Sequence, residues 1–138
     1  MITAGLDAPE LFDQAIRRLR GAGAASPFLS TPGALSFLAV YESEVVGWCW
    51  GYHLVRPDAT SMAYLHELEV DEGHRRRDIG RRLVNAFMVG AVGCGAERMF
   101  LSTAADNRPA RSLYESLGGA LVEQGPTVNY WFRLGPSD

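Results

Sequence analysis

The chain has 138 residues, 47% hydrophobic and 21% charged, with a formal net charge of −3 at pH 7. This length suits one domain with a real core, so residues 1–138 are read as a single domain, and the composition excludes disordered and fibrous classes. The arginines gather between Arg75 and Arg82, which argues for a local anion site and against general nucleic-acid binding.

Asp7 followed by Glu10 gives a capping-box-like start, and Leu11, Phe12, Ala15, Ile16 and Leu19 recur at helical spacing up to Gly21. This predicts a first helix, with no evident strand ahead of it. Gly21 to Ala34 has loop composition with room for one short helical turn, and such a loop can wall a ligand site. Leu35 to Tyr41 and Val45 to Val55 flank the polar turn Glu42-Ser43-Glu44 and read as a β-hairpin. After the turn Arg56 to Ser61, a third antiparallel strand runs from about Met62 to Val70. Strict alternation along it sends His66 away from Glu67. Trp48, Trp50 and Tyr52 share one strand face and read mainly as core packing, with some left to line a ligand site.

Val70-Asp71-Glu72-Gly73-His74-Arg75-Arg76-Arg77-Asp78-Ile79-Gly80-Arg81 joins this strand to a helix. Ile79, Leu83, Val84, Phe87, Met88, Ala91 and Val92 trace one face of that helix, which ends near Gly93 and Gly95. A basic loop that turns directly into a helix aims unpaired backbone N–H groups and the positive end of the helix dipole at one spot, where a phosphate fits. Arg98 to Thr103 reads as a buried strand, parallel to the one ending at Val70 because a helix crosses over between them. Asn107 then caps a short helix with Pro109 in its first turn, Ala110, Leu113, Tyr114 and Leu117 on one face, and Gly118-Gly119 at its end. Ala120 to Glu123, a turn at Gly125-Pro126, and the alternating Val128, Tyr130, Phe132 and Leu134 predict a final hairpin.

Cys49 and Cys94 have no motif spacing and read as reduced thiols, and His53, His66 and His74 have no ligand spacing, so no metal is expected. Neither a leader pattern nor a run of ~18 apolar residues is present, so the expected location is cytoplasmic, with no membrane partner.

The basic loop gains specificity from a second segment, Asn107-Arg108-Pro109-Ala110-Arg111-Ser112-Leu113-Tyr114-Glu115-Ser116-Leu117-Gly118. In this order and spacing the two resemble the GNAT superfamily of acyl-CoA-dependent N-acetyltransferases, over roughly residues 35 to 134. Arg75-x-x-Asp78-x-Gly80 matches that family's pyrophosphate loop, and Asn107 with Leu113-Tyr114-Glu115-x-Leu117-Gly118 matches its C-terminal motif. Gly51-Tyr52-x-Leu54-x-Arg56-Pro57-Asp58, then Tyr64-Leu65-His66-Glu67-Leu68-x-Val70 and His74-Arg75-Arg76, looks most like the aminoglycoside 3-N-acetyltransferase branch.

The resemblance implies an α/β (α+β) fold: a mixed, mostly antiparallel twisted sheet with a central parallel pair and helices on both faces. It implies acetyl-CoA as co-substrate, no metal, and direct transfer to a primary amine of a small molecule without a covalent enzyme intermediate. The pyrophosphate would be held by Arg75, Arg76, Arg77, Asp78, Ile79, Gly80 and Arg81, and pantetheine would pair with Leu68, Glu69 and Val70 like an added strand. A backbone N–H near Leu68 or Glu69 would take the thioester carbonyl. Glu67 matches a position that often carries the carboxylate base, with His66 or water in reserve, and Tyr114 matches the tyrosine that protonates the departing sulfur. Asn107 combines a helix cap with a cofactor contact. Many relatives dimerise, and nothing in this sequence decides for or against a homodimer.

Asp78 stands where the family has glycine, and a carboxylate there repels a pyrophosphate unless it turns outward or pairs with Arg75, Arg81 or Arg82. Gly119 replaces an aromatic or aliphatic residue. These departures keep a non-catalytic acyl-CoA sensor in view, alongside a protein N-acetyltransferase and an interaction domain without a nucleotide.

Overall fold

The structure is a computed structural model describing residues 1–21, 27–75, 77–122, 126 and 128–136. In chain order it runs β1 (Ile2–Ala4), α1 (Pro9–Arg20), β2 (Ala34–Tyr41), β3 (Glu44–Val55), β4 (Ser61–Val70), α2 (Ile79–Gly93), β5 (Met99–Phe100) and α3 (Arg108–Ser116). The strands form one sheet in the order β1-β2-β3-β4-β5, in which only β4 and β5 are parallel. The mixed, mostly antiparallel sheet with helices on both faces is the architecture expected from the sequence. The parallel pair, however, stands at the edge of the described sheet.

One face buries Phe12 and Ala15 of α1 against Leu38, Val45 and Trp48. The other buries Leu83, Val84, Phe87 and Ala91 of α2 against Ala39, Val46, Cys49, Ala63 and Leu65, with Leu113, Tyr114 and Leu117 of α3 packed at its margin. Each large apolar side chain fully withdrawn from water here contributes roughly 2–3 kcal/mol, so the two amphipathic helices fix which face of the sheet is which.

Four details depart from the sequence expectations. A first strand exists: Ile2–Ala4 is too short to show a periodic signal, yet it pairs with Phe37–Ala39, and the terminal ammonium donates to the Val40 carbonyl at 3.0 Å. Asp7 does not cap α1. Gly5–Asp7 forms a 3-10 turn and Pro9, with its preset φ, starts the helix instead. The strand predicted over Arg98 to Thr103 shrinks to Met99–Phe100, with Phe100 half exposed. Finally, no strand forms among the described residues of the C-terminal segment, where Val128, Tyr130, Phe132 and Leu134 are exposed and Trp131 is 97% exposed. The shortness of β5 accounts for this, because it leaves little edge to pair with, and a two-stranded hairpin alone is marginal in water. Glu123 and Gly125 of the predicted hairpin, like Ala22 to Ser26 of the loop after α1, lie outside the described residues.

Candidate active site

The β4–α2 connection makes a 3-10 turn at Glu72–His74 and then climbs through the arginines. Arg75 Nε donates to the Val70 carbonyl at 3.2 Å, and the Arg77 guanidinium lies over the Tyr41 ring at 5.4 Å. Arg76 is outside the described residues. Asp78 occupies the left-handed region (φ 63°, ψ 14°), the conformation that favours glycine, and its side chain does not cap α2. Instead its Oδ1 accepts from Arg81 Nε at 3.3 Å and the side chain is 71% exposed. The carboxylate is therefore both paired and turned outward. The first N–H groups of α2, from Ile79 onward, have no side-chain cap and no intrahelical partner, so the positive end of a 15-residue helix faces outward from the loop.

Gly80 brings three elements together. A Cβ there would sit 3.4 Å from Leu113 Cδ2 of α3 and 3.9 Å from Leu68 Cδ2 of β4. Arg81 Nη2 reaches across to Ser116 Oγ at 2.7 Å, and that hydroxyl donates on to the Leu113 carbonyl. The start of α2, the face of α3 and the end of β4 thus meet at one corner.

Leu68, Glu69 and Val70 are paired on one side only. Opposite Cys49, Trp48 and Gly47 they hold the β3 ladder, whereas the parallel ladder to β5 covers only Ala63 and Tyr64. Past Tyr64 the strands part and expose a stretch of β4 edge. On the α2 side of this opening Tyr114 is partly buried against the core. Burial and the neighbouring Cys49 push its phenol above the ordinary value, so it stays a proton donor. Asn107 Oδ1 accepts from the Ala110 N–H at 3.2 Å, which establishes its capping role.

Glu67 sits on the α1 side. Arg20 Nη1 donates to its Oε1 at 2.5 Å and Trp48 Nε1 to its Oε2 at 2.9 Å. A β-bulge between β3 and β4 places Trp50 opposite Glu67 but Gly51 opposite Leu65, leaving His66 as the extra residue. Gly51 is required there, because a Cβ would fall 1.9 Å from the Tyr64 carbonyl oxygen. The bulge overturns the alternation that sent His66 away from Glu67: its ring stacks on Trp50 (centroids 4.5 Å apart, planes 10° apart) and meets the Tyr64 ring edge-on at 5.3 Å. Phe28 caps Trp50 and Tyr52, and Phe100 stacks on Tyr64 at 5.2 Å, so aromatic rings run as a continuous strip from Trp48 to the β5 edge. Arg20, Trp48 as a donor and Ser116 were not found from sequence. Only the bulge left a signal, since the apolar positions 63, 65, 68 and 70 slip by one residue at 66–67.

Neither cysteine suits a nucleophile. Cys49 donates to the Leu83 carbonyl in the core and burial pushes its thiol up to about 12, while Cys94 is exposed at the far end of α2. His53 and His74 do not join the Glu67 group. His74 instead pairs with Asp71 at 3.2 Å, and Asp71 pairs with Arg18 of α1 at 3.0 Å. Among the described residues no His, Cys, Asp and Glu cluster could hold a metal, and no helix is long and apolar enough to cross a membrane.

Residues 7–119 match the acetyltransferase (GNAT) family. No curated protein matches the sequence. Among solved structures, an aminoglycoside acetyltransferase from an uncultured soil metagenomic sample, in complex with trehalose, is 20% identical (96% of each chain covered, TM-score 0.77). The aminoglycoside N-acetyltransferase AAC(6')-Iy in complex with CoA is 16% identical, covering 97% of this chain and 100% of that one, with a TM-score of 0.75. The ribosomal-protein-alanine N-acetyltransferase from Brucella melitensis is 18% identical (95% and 99% covered, TM-score 0.71). At such identities the likeness is one of fold.

Proposed function

The chain belongs to the GNAT acetyltransferase family, and on that premise we propose that it carries acetyl from acetyl-CoA to the primary amine of a small molecule in a ternary complex. One observation carries the reading: the stretch of β4 edge from Leu65 to Val70, unpaired by β5, runs directly towards the uncapped start of α2. An edge of alternating N–H and C=O groups suits a chain of amides, and the helix start suits a pyrophosphate, so a CoA-shaped ligand fits both.

In this reading Leu68, Glu69 and Val70 supply backbone partners along the opening, and a freed N–H there polarises the carbonyl under attack. Ile79, Gly80 and Arg81 hold phosphate with their N–H groups, and Arg75, Arg76 and Arg77 add charge. Asp78 holds the left-handed turn and keeps its own charge on Arg81. Asn107 fixes the start of α3 and so the height of Tyr114. Acetyl-CoA supplies an activated thioester. Glu67 takes the proton of the incoming ammonium, directly or through water, and Tyr114 donates to the departing sulfur. The balance is one C–N bond formed, one C–S bond broken, and one proton released beyond that taken up by the thiolate. Glu67 and Tyr114 approach the parted strands from opposite faces, as a base and an acid acting on two reactants must.

Thiol release with acetyl-CoA and primary amines tests this. Initial rates with both substrates varied should give intersecting lines, and parallel lines would indicate a covalent enzyme intermediate. Tight acetyl-CoA binding without turnover of any amine would favour a sensor.

A further inference from the structure

We propose that the acceptor is an amine with a single cationic centre on an aromatic body, and not a polycation. This rests on the acetyl-transfer reading above and names its substrate class. Two features converge, charge and ring chemistry.

The carboxylates on the α1 side are already matched. Glu67 is paired with Arg20, while Glu44 and Asp71 share Arg18. Glu69, two positions along the strand from Glu67, has no ion pair among the described residues. The mouth therefore holds Glu67 and Glu69 against Arg20, an excess of about one negative charge. A polycationic sugar or polyamine needs several unmatched carboxylates, and α1 ends instead in Arg17, Arg18 and Arg20. One ammonium, by contrast, replaces the Arg20 guanidinium on Glu67 charge for charge, while the Trp48 indole holds the other oxygen in place.

Beyond Glu67 the strip continues as rings. His66 is exposed and stacked on Trp50, Tyr64 meets His66, and half-exposed Phe100 lies on Tyr64 at the point where β4 and β5 part. An apolar body two or three bonds from the ammonium would extend this stack and gain ring contact without a further charge.

The test compares kcat/KM for 2-phenylethylamine, spermidine and kanamycin with the full chain and acetyl-CoA. The expected result is an advantage of about tenfold or more for 2-phenylethylamine, the size of one added ring contact. Equal or better turnover of spermidine or kanamycin overturns the aromatic acceptor and leaves acetyl transfer standing, whereas turnover of no amine removes both. In Phe100→Leu, KM for 2-phenylethylamine should rise about three- to tenfold with kcat held, while n-propylamine is unaffected. In Arg20→Ala, which vacates Glu67, KM for 2-phenylethylamine should fall. A rise in that variant, or equal losses for both amines in Phe100→Leu, contradicts the proposal.

Discussion

Replacing Asp78 separates strain from charge at the loop. The residue sits at φ 63°, so a non-glycine side chain there carries strain of about 1 kcal/mol. That strain is present with and without ligand and therefore drops out of the CoA dissociation constant. The charge does not. For a carboxylate 71% exposed and about 7 Å from a phosphate seated on the first turn of α2, an effective dielectric of about 40–80 gives roughly 0.6–1.2 kcal/mol of repulsion. Asp78→Asn and Asp78→Gly should both tighten CoA about three- to sevenfold by calorimetry at low salt. At about 0.5 M salt the gain should fall below twofold. Stability should barely move in Asp78→Gly, because relief of strain is offset by about 0.5–1 kcal/mol of extra freedom in the unfolded chain. Unchanged or weaker binding in both variants at low salt would refute the placement of a phosphate here, and a gain confined to Asp78→Gly would refute the charge argument.

Glu67→Gln keeps an acceptor for the Trp48 indole, so the fold should hold while kcat falls about 10²-fold, a loss that rising pH does not restore. Tyr114→Phe should lower kcat about tenfold or more with little change in KM for acetyl-CoA, which a purely packing role would leave untouched. For Cys49, burial raises the thiol from 9.0 to about 12. The unfolded chain therefore loses this proton first, and urea stability should decline as pH rises through that window, a decline flattened in Cys49→Ala. Asp71 is held below its ordinary 3.8, first by Arg18 and then by His74. Its contribution is present above that value and fades as pH falls through the lowered one, so the Tm deficit of Asp71→Asn should be visible at pH 7 and close in acid.

The elements with long periodic signals were legible. The faces of α1 and α2, the β2–β3 hairpin and the parallel return to β5 follow from spacing alone. So did the cap at Asn107, because a side-chain acceptor three residues before a free N–H is a local rule. What escaped depends on the third dimension. The Arg20–Glu67 pair spans 47 residues, and β1 exists only because β2 offers it an edge. His66 was misplaced because alternation assumes an unbroken ladder, and one extra residue resets the faces. The C-terminal alternation is genuine in the sequence, yet a pattern cannot supply the edge it needs.

The most direct test of the account is a co-crystal structure with CoA and a primary amine. It should place the pyrophosphate on the N–H groups of Ile79 to Arg81, pantetheine along Leu68 to Val70, and the sulfur within hydrogen-bond reach, roughly 3–4 Å, of Tyr114, with the amine beside Glu67. A sulfur more than ~10 Å from both Glu67 and Tyr114, beyond reach even through one water, would contradict it.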